Sequence, residues 1–172
     1  MYIFKLESKY RFMPILILLL AMSIISPSTY ASSIEQWSTE TEIDDFTDEK
    51  RVFSYINSET GRKGSFIYVG CFPGKTFELR ISTGRYIGDK ELYLRNVRYR
   101  IDKDEAKATT MSPTNKRFVY SNDKSSNFLY GLMNGSSTVL VELTSYDYDT
   151  SKSRFSLKGS TKAVQAVLDA CN

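Results

Sequence analysis

The sequence predicts a mainly β fold, an antiparallel sheet or β-sandwich with a short internal helix and a C-terminal helix. Three observations predict it. Phe77, Leu79 and Ile81 alternate with Glu78, Arg80 and Ser82, the period of a strand with one buried and one wet face. The same alternation returns in Val97, Tyr99 and Ile101 against Arg98 and Arg100, and again in Val139, Val141 and Leu143 against Leu140, Glu142 and Thr144. Near the end the period changes, and Ala163, Val164, Val167, Leu168 and Cys171 fall on one stripe of a helix.

In chain order, residues 32–48 are polar and acidic and read as an ordered lead-in with Trp37 as its apolar anchor. A first strand over 50–56 is rich in Val52, Phe53, Tyr55 and Ile56. Residues 66–71 and 76–82 form a hairpin about Pro73-Gly74, in which Cys71 shares a face with Ile67 and Val69. A strand over 96–102 follows. Residues 103–116 are polar and contain Pro113, so they read as a loop with at most a weak strand near 108–111. After a short strand over 118–121, Ser125-Ser-Asn127 offers side-chain oxygens to the free N–H groups of a helix carrying Phe128, Leu129, Leu132 and Met133, and Gly135 stops it. Strands over 138–146 and 154–158 and a helix over 161–171 complete the chain.

The first 31 residues read as a signal peptide. Lys5, Lys9 and Arg11 precede an apolar run that extends only from Met13 to Ile25, short of the roughly 20 residues a membrane span needs. Thr29 and Ala31 suit the −3 and −1 positions, which places cleavage before Ser32 and leaves 32–172 as one exported β-rich domain. No cysteine follows that junction closely enough for lipid attachment, so no permanent membrane anchor is expected. Loss of Lys5, Glu7, Lys9 and Arg11 turns 23 basic and 20 acidic residues into 20 and 19, and the net charge falls from +3 to +1. A polyanion-binding argument from bulk charge therefore fails.

Histidine is absent from the 172 residues, which removes imidazole acid/base chemistry, His-dependent triads and the commonest transition-metal ligand. The two cysteines, Cys71 and Cys171, both face the predicted core from different elements of an exported chain, and the simplest arithmetic is one disulfide. Closing a loop of about 100 residues removes on the order of 4–5 kcal/mol of unfolded-state entropy. No Cys-x-x-Cys spacing supports a redox or metal pair. Asp102-Lys-Asp104-Glu-Ala-Lys lacks the glycine and distal glutamate of an EF-hand loop, so neither a metal nor another cofactor is expected.

Two constellations remain as candidate sites. Provided their strands are neighbours, Arg80, Arg98 and Arg100 project from one wet sheet face, with Arg85, Arg95 and Lys103 near its ends. Such a face suits phosphates or carboxylates of an envelope polymer or of an acidic protein patch. Cross-strand pairing with Glu78 and other acids is the structural alternative. The 12 tyrosines, among them Tyr86, Tyr93, Tyr99, Tyr146 and Tyr148, serve either to stiffen sheet surfaces or to line a binding face. The export signal makes nucleic acid an unsuitable partner. Acids at strand ends (Asp44, Asp45 and Asp48; Asp102, Asp104 and Glu105; Asp147 and Asp149) supply the residue type for carboxylate-based hydrolysis, yet each group sits where solvated acids are ordinary.

Asp45-Phe-Thr-Asp48, the strand ending in Cys71 and its alternating successor, Val97-Arg-Tyr-Arg-Ile-Asp102, the helix around 128–133, Phe155-Ser-Leu-Lys-Gly159 and the final Ala170-Cys171 occur in an order that resembles the VasI/TagO family of exported accessory proteins associated with type VI secretion. The resemblance covers most of 45–171. It implies an exported β-rich domain and no catalytic residues. The resulting expectation is a non-enzymatic periplasmic or secreted accessory or binding protein linked to type VI secretion or the cell envelope. A secreted inhibitor of a partner hydrolase and a carboxylate-based envelope hydrolase stand as alternatives.

Overall fold

The computed structural model describes residues 36–88 and 93–172. These fall within one unit, Ser33–Asn172, and the expected leader over 1–31 lies outside them. The strands are β1 (Ser38–Ile43), β2 (Lys50–Asn57), β3 (Ser65–Phe72), β4 (Thr76–Thr83), β5 (Arg95–Ile101), β6 (Lys107–Thr114), β7 (Phe118–Ser121), β8 (Thr138–Thr144) and β9 (Thr150–Ser156). The helices are α1 (Asn127–Asn134) and α2 (Ser160–Ala170). The strands hydrogen-bond in the order β1-β2-β3-β4-β7-β6-β5-β8-β9, and every pairing is antiparallel.

The ribbon does not lie flat. β6 pairs with β5 through Lys107–Met111 and with β7 through Ser112–Thr114, so it belongs both to a first sheet, β1-β2-β3-β4-β7-β6, and to a second, β6-β5-β8-β9, and the chain bends along it. β8 and β9 then lie across β2, β3 and β4. Hydroxyl pairs stitch the two layers from inside: Ser153 to Ser65 at 3.0 Å and Thr83 to Ser151 at 2.5 Å. The expectation of a sheet or a sandwich thus resolves into one sheet folded over on itself.

Alternation fills the space between the layers. Ile67, Val69, Leu79, Ile81, Val97, Val139, Val141 and Leu143 are all fully buried. Removing such side chains from water is the main favourable term here, about 1.5–3 kcal/mol each. α1 seats Phe128 edge-on to Tyr99, with ring centres 4.9 Å apart. α2 closes the end of the first sheet, where Ser54 Oγ donates to the Ala163 carbonyl at 2.9 Å, and Trp37 Nε1 donates to the Ser156 carbonyl at 3.0 Å.

The disulfide joins Cys71 to Cys171, with Cα atoms 5.5 Å apart and both residues buried. It connects β3 to the residue that follows α2.

Three expectations are corrected. The lead-in contains a strand, β1, whose six residues are all exposed, so no buried alternation marked it. The polar stretch 103–116 holds a full strand, β6, rather than a loop. Pro113 is tolerated because pairing to β5 has ended at Met111, leaving that side of β6 without a neighbour that needs its missing N–H. The last strand spans Thr150–Ser156 rather than 154–158, in register with β8 from Thr144↔Thr150 to Thr138↔Ser156. Among the described residues no helix is long and apolar enough to cross a membrane.

Candidate functional site

Arg80, Arg98 and Arg100 do not form one patch. β4 and β5 are separated by β7 and β6, so Arg80 lies on the outer face of the first sheet and the other two on the outer face of the second. Arg80 is held within its own sheet. Its Nη2 donates to Glu78 Oε2 at 2.6 Å, and its guanidinium carbon lies 5.3 Å from the ring centres of Tyr68 and Phe72 and 5.5 Å from that of Phe118. The hydrogen bond it donates to Glu78 raises the Arg80 pKa, and burial raises that of the Tyr68 phenol. Rings on three sides and one carboxylate make this a packed structural cation.

Arg98 and Arg100 stand in a different setting. In β8, Glu142 lies opposite Arg98 and Leu140 opposite Arg100; in β9, Lys152 lies opposite Glu142 and Arg154 opposite Leu140. Residues directly opposite each other in a sheet share a face. Four cations, Arg98, Arg100, Lys152 and Arg154, therefore surround Leu140 and one carboxylate. Glu142 takes Lys152 Nζ at 3.0 Å and Arg98 Nη1 at 3.8 Å, and it is the more enclosed partner, 18% exposed against 62% and 63% for the two cations. Arg100 and Arg154 are exposed and have no ion-pair partner among the described residues. Strand spacing puts the β5 pair and the β9 pair roughly 10 Å apart with β8 between them. A recess of about 150 Å³ opens there, walled by Arg98, Arg100, Leu140, Glu142 and Lys152.

Lys152 and Arg154 are the residues that sequence reasoning missed. Their signal was the alternation of Ser151, Ser153 and Phe155 with the two cations, which serine hides because it is not apolar. Of the other basic residues expected nearby, Arg85 pairs with Asp149 at 3.1 Å. Arg95 is buried, its Nε donating to the Ile87 carbonyl at 3.0 Å and its Nη1 to the Tyr93 carbonyl. Lys103 is exposed beyond the end of β5.

At the turn between β8 and β9 a second, larger depression of about 730 Å³ lies over buried Arg95. Tyr93, Tyr146 and Tyr148 border it, with Tyr93 and Tyr146 ring centres 5.9 Å apart and the Arg95 guanidinium 5.6 Å from the Tyr146 ring. Tyr99, by contrast, points into the core, where burial raises its pKa.

The acids that shift do so downward. Asp102 accepts from the backbone N–H groups of Ser136, Ser137 and Thr138, each at 2.8 Å, and from the Ser136 hydroxyl at 2.9 Å, which brings its pKa from 3.8 to about 2. Asp44 is lowered by the N–H groups of Phe46 and Thr47, and Asp123 by the hydroxyl and N–H of Ser125. Such groups clasp turns, and they are poor proton donors at neutral pH. Among the described residues no group of three or more Asp, Glu or Cys side chains converges to hold a metal ion.

Fold and site together define a disulfide-stapled, folded-over β domain with a basic outer face on its second sheet. No protein-family model matches the chain, and no curated protein does. Among solved structures it is similar to the invasion associated protein B of Bartonella henselae, with 12% identity and a TM-score of 0.49, over 80% of this chain and 98% of that one.

Proposed function

We propose that this chain is an exported, non-enzymatic binding module of the cell envelope that holds an anionic partner on the outer face of its second sheet. The observation that carries the reading is the four-cation cluster of Arg98, Arg100, Lys152 and Arg154 around a single carboxylate, Glu142. Exposed guanidinium groups offer paired donors to carboxylates and phosphates. A disulfide is the chemistry of an oxidising compartment, which agrees with the leader-like first 31 residues. The resemblance to the VasI/TagO proteins points the same way, toward an accessory role in the envelope linked to type VI secretion.

The test is sedimentation of purified protein with insoluble peptidoglycan. The expected result is co-sedimentation that falls steeply between low and physiological salt and at least fivefold in Arg98→Ala/Arg100→Ala. Undiminished sedimentation of that variant overturns the basic-face reading. Release of soluble sugar fragments would make the chain a hydrolase instead.

A further inference from the structure

The tyrosine-bordered depression and the basic face are one surface. The depression is floored in part by Asn96, Thr110 and Thr144. Asn96 is two residues from Arg98 along β5, and Thr144 is two residues from Glu142 along β8, so these side chains project from the same outer face, one row nearer the β8–β9 turn. Three successive rows therefore run along the sheet: Thr110, Asn96 and Thr144; then Arg98, Glu142 and Lys152; then Arg100, Leu140 and Arg154. Adjacent rows are about 7 Å apart, so the path from amide and hydroxyls to the last cation pair is roughly 14 Å long.

Resting on the proposed function, we infer that the occupant of this path is an acidic polysaccharide chain, with a sugar ring seated among Tyr93, Tyr146 and Tyr148 and its carboxylates on the Arg98 and Arg100 rows. Each part of the surface fits a different part of such a chain. Aromatic faces are electron-rich and accept the C–H side of a pyranose ring. Tyr93 and Tyr148 are 58% and 88% exposed, so their rings are available to it. The neutral Asn96, Thr110 and Thr144 offer donors and acceptors of the kind that sugar hydroxyls need, and Asp147 at the turn end accepts from hydroxyls. The excess of cations over Glu142 then complements the carboxylates that recur along such a chain. An acidic peptide would use the cations and leave the tyrosine depression empty. A neutral glycan would use the depression and leave the cations unmatched.

Titration of the purified protein with hyaluronan oligosaccharides, which alternate a uronic acid with an N-acetylated sugar, separates these cases, with dextran oligosaccharides and poly-glutamate as controls. Hyaluronan should bind at least tenfold more tightly than either control. Tyr93→Ala/Tyr148→Ala should weaken hyaluronan at least tenfold and leave poly-glutamate unchanged, and Arg98→Ala/Arg100→Ala should weaken both. Near-ultraviolet circular dichroism of each variant, matched to the parent, shows that the fold is kept; should the tyrosine pair fail it, Asn96→Asp, which puts a negative charge beside the path, is expected to weaken hyaluronan by a similar factor. Poly-glutamate binding as tightly as hyaluronan, or hyaluronan indifferent to the tyrosine variant, overturns the inference while the anionic-partner reading stands. Indifference of hyaluronan and peptidoglycan alike to the arginine variant overturns both.

Discussion

Asp102 shows how much one side chain organises. It sits at φ 46°, just past β5, and its two oxygens satisfy the N–H groups that open β8. Its folded-state pKa, about 2, lies below the ordinary 3.8, so its contribution to stability is present above about pH 4 and is lost as pH falls toward 2. Asp102→Asn keeps a residue that accepts positive φ but has one acceptor oxygen in place of two. It should cost about 1–2 kcal/mol at pH 7, allowing for solvent screening, and should flatten the loss of stability between pH 4 and 2. Urea unfolding at pH 7 and pH 2.5 measures both. At this scale the sequence was a partial guide. Alternation correctly turns Arg80, Arg98 and Arg100 outward, but whether an outward arginine is exposed depends on residues brought to it by other strands. Arg80 meets Tyr68 of β3 and Phe118 of β7, and no local pattern announces that neighbourhood.

Among elements, α1 and its stop glycine are closely fitted. Cβ atoms placed on Gly131 and Gly135 would stand 2.8 and 2.6 Å from carbons of Ile101, and the one on Gly135 would also run into Leu157 Cδ1. Backbone-level contact of this kind needs glycine, and Gly135→Ala should destabilise by about 1–3 kcal/mol through overpacking. The Ser126 hydroxyl accepts the Leu129 N–H at 3.3 Å, and Ser126→Ala should cost about 1 kcal/mol. Thermal unfolding ranks the two, with Gly135→Ala the more severe; equal and negligible shifts would mean that α1 docks loosely. The same helix was easy to read in sequence, because cap, apolar stripe and stop glycine agree. β1 and β6 were not, since β1 buries nothing and β6 is built of Lys, Ala, Thr and Ser with a proline and, as its one large apolar residue, Met111, so their strand character comes from partners and not from composition.

For the whole molecule, the cysteines were the most informative long-range signal available before the structure. Two thiols facing inward from different elements leave one pairing, and it is the one formed. Strand order was beyond reach in the same way that β6 was, because β4 and β5 follow each other in sequence yet stand three places apart in the sheet. Cys71→Ser/Cys171→Ser should lower stability by about 4–5 kcal/mol, given the separation of 100 residues. Guanidinium unfolding of the parent with and without reductant should reproduce that difference, and two thiols titrating in the unreduced protein would refute the staple.

That staple also decides how the molecule would behave under tension. Load applied at Asn172 passes through the sulfur bridge directly to the end of β3, so the backbone between Cys71 and Cys171 is bypassed. Stretching the chain by its ends can peel away β1, β2 and most of β3, while the basic face and the tyrosine depression, both enclosed between the two sulfurs, carry no load. A surface that must keep hold of a polymer while the polymer is dragged gains from that arrangement. Single-molecule extension should show a short unravelling length that becomes much longer once the bridge is reduced.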